Sequence, residues 1–314
     1  MTVDMEKLKN VLSAEELTAF TLRALYADYG YEKYRMSKFE EYDLYVRNKD
    51  FLVSENIITF TDTDGKLLAL KPDVTLSILK NAKPTQGGVM KVYYNENVYR
   101  VSKGTRAYKE LLQAGLECLG DVTAETLTEV VLLAAKSLDV ISKDNVLALS
   151  ELDVVDGVLN ACGIEGGARE QLWTCLGERN LAGVLSVAEA SGCTQAQKSL
   201  LEGLLTTYGA PSKVLPILDS FCVDETTCTA VGGFKALLVS LLEKGVSEEK
   251  LCVDFSVLGN MNYYGGVAFK GFVEGIPTGI LSGGCYDRLA QKMGKQCKAV
   301  GFAVYLDELN KLRR

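Results

Sequence analysis

The stretch Leu111 to Leu119 constrains the fold more than any other part of the chain. Leu112, Ala114, Leu116 and Cys118 fall on one side of a strand, and Gln113, Gly115 and Glu117 on the other, because successive side chains in a strand point to opposite faces. A chain with this segment builds a sheet with one apolar face turned to a core. The second face carries an amide and a carboxylate flanking a glycine, and the glycine leaves room for a ligand to lie against the backbone. Taken alone, the strand reads sooner as a sheet face washed by solvent than as a ligand site.

Other segments surround this strand with an α+β pattern. Ser13-Ala14-Glu15-Glu16 reads as a capping box, followed by an apolar stripe of Leu17, Phe20, Ala24 and Leu25, with Gly30 ending the helix. Ile57 to Thr61 and Lys66 to Leu70 read as strands joined by a turn at Asp62 to Gly65, and a short helix from Thr75 follows Pro72. Val89 to Tyr94 and Asn97 to Val101 read as two further strands, and Thr123 to Leu138 as a helix. From Cys162 to Lys250 helical segments dominate: Ala168 to Leu176, Leu181 to Ala190, Ala196 to Tyr208, Ser212 to Phe221 and Phe234 to Lys244. Strands return at Val253 to Leu258, Tyr263 to Gly271 and Thr278 to Leu281. A turn at Gly283-Gly284 leads into a helix from Tyr286, a last strand spans Ala299 to Val304, and a charged helix closes the chain. This order predicts antiparallel strands with flanking helices. Residues 1–161 and 251–314 form one domain, and 162–250 a helical insertion.

Composition removes several kinds of chemistry. The 314 residues include no histidine, which excludes Ser-His-Asp and Cys-His nucleophile systems and the usual His-containing zinc sites. The nine cysteines are odd in number and form no C-x-x-C pair, so buried free thiols in a reducing cytoplasm are expected rather than a disulfide framework. No cofactor or metal is implied. A net charge of −7, from 34 basic and 41 acidic side chains, argues against an extended nucleic-acid-binding surface. No signal peptide and no membrane span are read in the chain.

Three segments join Gln113 and Glu117. Lys71-Pro72-Asp73-Val74-Thr75 presents an acid and a hydroxyl after a strand, Tyr99-Arg100 a guanidinium, and Tyr263-Tyr264-Gly265-Gly266 two phenols beside a glycine pair. Acid, amide, arginine and tyrosine on neighbouring strands suit a small zwitterion, whose ammonium needs acceptors and whose carboxylate needs donors.

In their order along the chain these pieces resemble class II synthetases of the histidyl type and their paralogue, the regulatory subunit of ATP phosphoribosyltransferase. Phe60 to Thr75 resembles the first conserved hairpin, and Val98-Tyr99-Arg100 with Glu110 to Glu117 resembles motif 2. Asn262 to Phe269 is similar to the histidine-specific signature, and Gly283 to Leu289 with Val300 to Val304 to the approach to motif 3. The resemblance implies a class II synthetase-like antiparallel sheet. It implies a histidine site at Asp73, Thr75, Arg100, Gln113, Glu117, Tyr263 and Tyr264: Asp73 and Thr75 take the ammonium, Glu117 and Tyr264 the imidazole, and Gln113 approaches the carboxylate.

The departures are specific. Gly259 stands where the synthetase signature has an arginine, Asn262 where it has an aspartate, and Tyr305 and Glu308 where motif 3 has a glycine and an arginine against ATP. Ser102 replaces the carboxylate after the motif 2 arginine, and Ser37 the motif 1 proline ahead of Phe39-Glu40. A glutamate in place of arginine reverses the electrostatic stabilisation of phosphate. The chain ends shortly after its last strand, with no anticodon-binding domain expected. The resemblance therefore implies a regulatory subunit with no catalytic residues of its own. It implies assembly with a short-form ATP phosphoribosyltransferase catalytic subunit, feedback by histidine, a class II homodimer formed around Tyr31 to Glu41, and no tRNA or membrane partner. Two other readings stay open: a compact histidyl-tRNA synthetase, and a histidine-binding paralogue with another partner.

Overall fold

A computed structural model describes residues 11–49, 52, 57–83, 87–101, 107–259 and 263–313. Ser102 and Asn262 lie outside them, as does the stretch 1–10.

The capping box forms as the sequence predicts: the Glu16 amide donates to Ser13 Oγ at 3.1 Å, and the Ser13 amide donates to Glu16 Oε2 at 2.8 Å. It opens α1 (Ala14–Asp28), and Gly30, at φ 81, ends it in the left-handed region open to glycine. The buried stripe is not the expected one. Ala19, Leu22 and Tyr26 face the core, while Leu17 and Phe20 are exposed. Tyr26 decides the rotation: its ring packs edge-on against Phe302 and its hydroxyl meets Ser137 Oγ at 3.0 Å.

Along the chain follow β1 (Glu32–Lys33), β2 (Phe39–Glu41), α2 (Tyr42–Arg47), β3 (Thr59–Thr61), β4 (Leu67–Leu70), α3 (Thr75–Asn81), β5 (Val89–Val101), β6 (Tyr108–Gly120), α4 (Ala124–Ile141), β7 (Asn145–Glu151) and α5 (Leu152–Ala161). The helical stretch holds α6 (Gly166–Gly177), α7 (Leu181–Ala190), α8 (Gln195–Thr206), the short strand β8 (Tyr208–Gly209), α9 (Pro211–Val214) and α10 (Glu225–Glu243). The chain then returns to sheet in β9 (Leu251–Asp254), β10 (Val267–Val273), β11 (Ile276–Cys285), α11 (Asp287–Lys292), β12 (Lys298–Tyr305) and a closing 3₁₀ turn, Leu306–Arg313.

Nine strands form one sheet in the order β1-β5-β6-β12-β11-β10-β7-β9-β8, and β2-β4-β3 form a smaller one. The pairs β1–β5 and β7–β9 are parallel and the central pairs antiparallel. The expected strands at 89–94 and 97–101 are a single strand, β5, which runs in unbroken register with β6 from Val89↔Gly120 to Val101↔Tyr108. The expected Gly283-Gly284 turn is also a strand interior. Both glycines pair across the sheet with β10 and β12, and a Cβ on Gly283 would overlap the Gly301 carbonyl. Glycine serves close backbone approach there, not a turn. β10 starts at Val267 rather than Tyr263, so both tyrosines stand ahead of it. In the helical stretch, α10 starts nine residues before Phe234, at Glu225, because Asp224 caps it through the Thr227 amide. The segment expected at 212–221 is the short α9 and a 3₁₀ turn.

The main core lies on one face of the large sheet. Leu116, Leu147, Leu149 and Phe302 pack there against α1 and α4, together with Leu172, Leu176, Val184 and Leu201 from the helical stretch. That stretch therefore shares its core with the sheet. A second core forms on the other face around α3 and α11, with Leu76, Leu79, Tyr94 and Tyr286. The nine cysteines are free thiols, and Cys118, Cys162, Cys193 and Cys252 are buried. Among the described residues no helix is long and apolar enough to cross a membrane, and no cluster of metal-ligating side chains occurs.

Candidate functional site

Pairing register places the polar face of β6 at the centre of the second sheet face. Glu117 stands opposite Gly301, and Gly301 opposite Gly284, which neighbours Ala268. Gly115 stands opposite Ala303, then Ser282, then Lys270. Gln113 stands opposite Tyr305. Directly opposed residues share a face, so three rows of mostly small side chains make a floor.

Over this floor lies a cavity of about 510 Å³. Asp73, Thr75, Arg100, Gln113, Glu117, Tyr263 and Tyr264 all line it, as do Gly259 and Tyr305. The solvent-washed alternative for the β6 face does not hold. Gln113 is 3% and Glu117 2% exposed, and Thr75 on α3 and Tyr286 ahead of α11 close over Glu117.

Glu117 is the hub. Thr75 Oγ1 donates to its Oε1 at 2.8 Å and Tyr286 OH to its Oε2 at 2.5 Å. Burial pushes its carboxyl up to about 8, aided by the Asp73 charge and opposed by the Tyr286 and Thr75 hydrogen bonds. Gly301 makes this geometry possible, since a Cβ there would overlap Glu117 Oε2. Asp73 is also raised, by burial first, against the Leu76 amide at 2.9 Å and the Arg100 charge. Arg100 Nε donates to the Pro72 carbonyl at 2.9 Å. The Thr75–Glu117 bond brings together the residues that the resemblance assigns to the ammonium and to the imidazole. The Tyr263 ring packs at a tilt against those of Tyr264 and Tyr286, with ring centroids at 4.4 and 5.9 Å. The Gln113 Nε2 group is buried with no acceptor. An unpaired buried donor costs about 1–3 kcal/mol, and a ligand carboxylate over the floor would satisfy it.

The far end of the cavity is closed on itself. Tyr305 OH and Ser282 Oγ form a hydrogen bond, and Glu308 Oε2 accepts from Thr278 Oγ1 at 2.8 Å. At Gly259 a Cβ would overlap the Tyr264 ring. A long cationic side chain could not enter there without displacing that ring. Ser37 accepts the Phe39 amide at 3.1 Å, away from the cavity.

Sequence reasoning missed Tyr286 and Gly301 as parts of the site. A signal for the second was present: Gly301, Ala303 and Tyr305 alternate along β12 as Gln113, Gly115 and Glu117 do along β6. Tyr286 carried none, because it meets Glu117 across 169 residues of chain.

Comparison with known proteins agrees with this fold. The histidyl-tRNA synthetase family profile matches residues 7–309. An ATP phosphoribosyltransferase regulatory subunit of Oceanobacillus iheyensis is 28% identical over 288 residues, which cover 90% of this chain and 69% of that one. A Bacillus halodurans structure described as an ATP phosphoribosyltransferase regulatory subunit/histidyl-tRNA synthetase superposes with a TM-score of 0.82 at 25% identity, covering 94% of this chain and 78% of that one. The ATP phosphoribosyltransferase (HisG:HisZ) complex of Thermotoga maritima contains a chain with the same fold, at a TM-score of 0.71 and 16% identity, covering 93% of this chain and 97% of that one.

Proposed function

Because the chain belongs to the histidyl-tRNA synthetase family, we propose that it is a regulatory subunit of ATP phosphoribosyltransferase that binds free histidine and forms no aminoacyl adenylate. The observation that carries this reading is the contrast within one cavity. Its Gln113 donor is buried and unpaired, ready for a ligand carboxylate, while Tyr305 and Glu308 hydrogen-bond to Ser282 and Thr278 where ATP would need donors. Histidine fits the remaining groups: Asp73 attracts the ammonium, and Glu117 and Tyr264 take the imidazole. The names of the Oceanobacillus and Bacillus relatives support the regulatory role.

In this reading residues 1–161 and 251–314 form the synthetase-like domain and 162–250 the helical insertion. The working assembly contains a short ATP phosphoribosyltransferase catalytic subunit, with histidine as feedback effector and no tRNA. A homodimer forms near Tyr31 to Glu41. It is supported by the outer face of β2-β4-β3, where exposed Phe39 and Phe60 meet edge-on at 5.2 Å over Leu68 and Leu70. The compact-synthetase alternative is opposed by Gly259, whose place for a side chain the Tyr264 ring takes.

The test is reconstitution. A short ATP phosphoribosyltransferase from the same source is expected to co-purify with this chain, to gain activity from it, and to become inhibitable by histidine in its presence. Full activity and full inhibition without this chain would overturn the proposal.

A further inference from the structure

We infer that helix α6 is a clamp on the cavity wall: Arg169, Trp173 and Arg179 hold the segments on both flanks of Tyr264 and so set the affinity of the cavity for its ligand. The inference rests on the reading of this cavity as the histidine site.

Arg169 and Trp173 lie one turn apart on the same face of α6, where i and i+4 side chains are neighbours. The indole Nε1 of Trp173 donates to the Gly259 carbonyl at 3.2 Å, and Gly259 is cavity wall in contact range of the Tyr264 ring. Just past the helix end stands Arg179, at φ 53 the only non-glycine residue with positive φ among the described residues. Backbone in this region is sterically disfavoured and persists where its surroundings over-determine it. The surroundings here are specific. Arg179 Nε donates to Ser256 Oγ at 3.1 Å, its Nη2 pairs with Asp254 Oδ2 at 2.7 Å, and its guanidinium stacks 4.2 Å over the Tyr208 ring. Asp254 Oδ1 in turn accepts the Ser256 hydroxyl and amide at 2.6 and 2.9 Å. This knot anchors the start of the wall that continues through Val257, Leu258 and Gly259.

Arg169 reaches the other flank through a relay. Its Nη2 pairs with Asp156 Oδ1 at 2.7 Å, and the second oxygen of Asp156 takes Arg288 Nη2, also at 2.7 Å. Arg288 lies against Gly265, beside Tyr264, with its Nε 3.1 Å from where a Cβ would stand. One helix with only Leu172 and Leu176 buried thus holds both approaches to the tyrosine. Ligand binding and the seating of α6 are then reciprocally linked, whichever is perturbed.

Trp173 is the sole tryptophan, so the intact chain carries its own reporter. Titration with L-histidine is expected to change tryptophan emission saturably, with the midpoint found by calorimetry. Trp173→Phe keeps a ring and loses the donor. It is expected to bind histidine about 3- to 10-fold more weakly, the range for one lost neutral hydrogen bond, with circular dichroism unchanged. Arg179→Ala is expected to weaken binding at least as much, and Arg179→Lys, which keeps the Asp254 charge partner, less than Arg179→Ala. Calorimetric binding with flat tryptophan emission, and wild-type affinity in Trp173→Phe and Arg179→Ala, would overturn the clamp and leave the histidine site standing. No heat with histidine at all would overturn both.

Discussion

One cavity floor carries two contrasting sets of polar groups. At the Glu117 end, two hydroxyls converge on a buried carboxyl, while the Gln113 amide, four residues away along β6 and opposite Tyr305, has no partner. Around that amide the other polar groups pair among themselves, Tyr305 with Ser282 and Glu308 with Thr278. An unsatisfied buried donor costs stability and is retained where a ligand relieves it, whereas self-satisfied groups offer a ligand little. The comparison teaches that the polar groups of one cavity can be self-satisfied in one part and left open to a ligand in another.

The largest expected effect tests the closed end. An adenylating site supplies two arginines where this chain has Gly259 and Glu308. At about 3 kcal/mol per lost donor, the deficit is on the order of 10⁴-fold in rate. Histidine-dependent pyrophosphate exchange by the pure chain is therefore expected at background, and exchange near synthetase rates would break the comparison. At the open end, Gly301→Ala forces a methyl into Glu117 Oε2 and the Leu116 carbonyl. Overpacking of this kind costs about 1–3 kcal/mol, read as a lowered denaturant midpoint, and histidine binding is expected to disappear with it.

Above about pH 8, where its carboxyl is ionised, Glu117→Ala is expected to weaken histidine binding by roughly 10- to 150-fold, the equivalent of one charge-assisted hydrogen bond of about 1.5–3 kcal/mol. Unchanged affinity with the fold intact would assign Glu117 to structure alone. The same residue sharpens the comparison through pH. Its folded pKa is raised from 4.5 to about 8, so the native state binds a proton that the unfolded state releases above 4.5. The contribution of Glu117 to stability is full below pH 4.5 and declines as pH rises to about 8. Wild type should lose stability relative to Glu117→Gln across that window, measured by urea unfolding at a series of pH values. A constant difference would place the carboxyl at an ordinary pKa. The smallest effect belongs to the closed end. Tyr305→Phe removes only the hydroxyl bonded to Ser282, and histidine affinity is expected to shift by less than about two-fold, below the worth of a typical hydrogen bond. A ten-fold loss would show that Tyr305 serves the ligand.

Local physics was legible in the sequence. The capping box at Ser13, the φ > 0 glycine at Gly30 and the two-residue alternation of Gln113, Gly115 and Glu117 involve neighbours only a few residues apart, so the residue types carry the whole argument. The order of the segments around them was enough to indicate the family. β7 and α5 went unread, since Asn145 to Glu151 is a short apolar run without alternation and periodicity cannot separate a buried strand from a helix there. Only the tertiary structure decided that the Glu117 face is buried rather than wet, because burial depends on what covers the sheet, and α3 and Tyr286 come from distant parts of the chain. It alone decided that Gly283 and Gly284 lie inside a strand, since strand interior and turn make the same demand for glycine and differ only in what approaches the backbone. The raised carboxyl of Glu117 follows from those same decisions, because desolvation belongs to the assembled environment of a side chain and not to its identity.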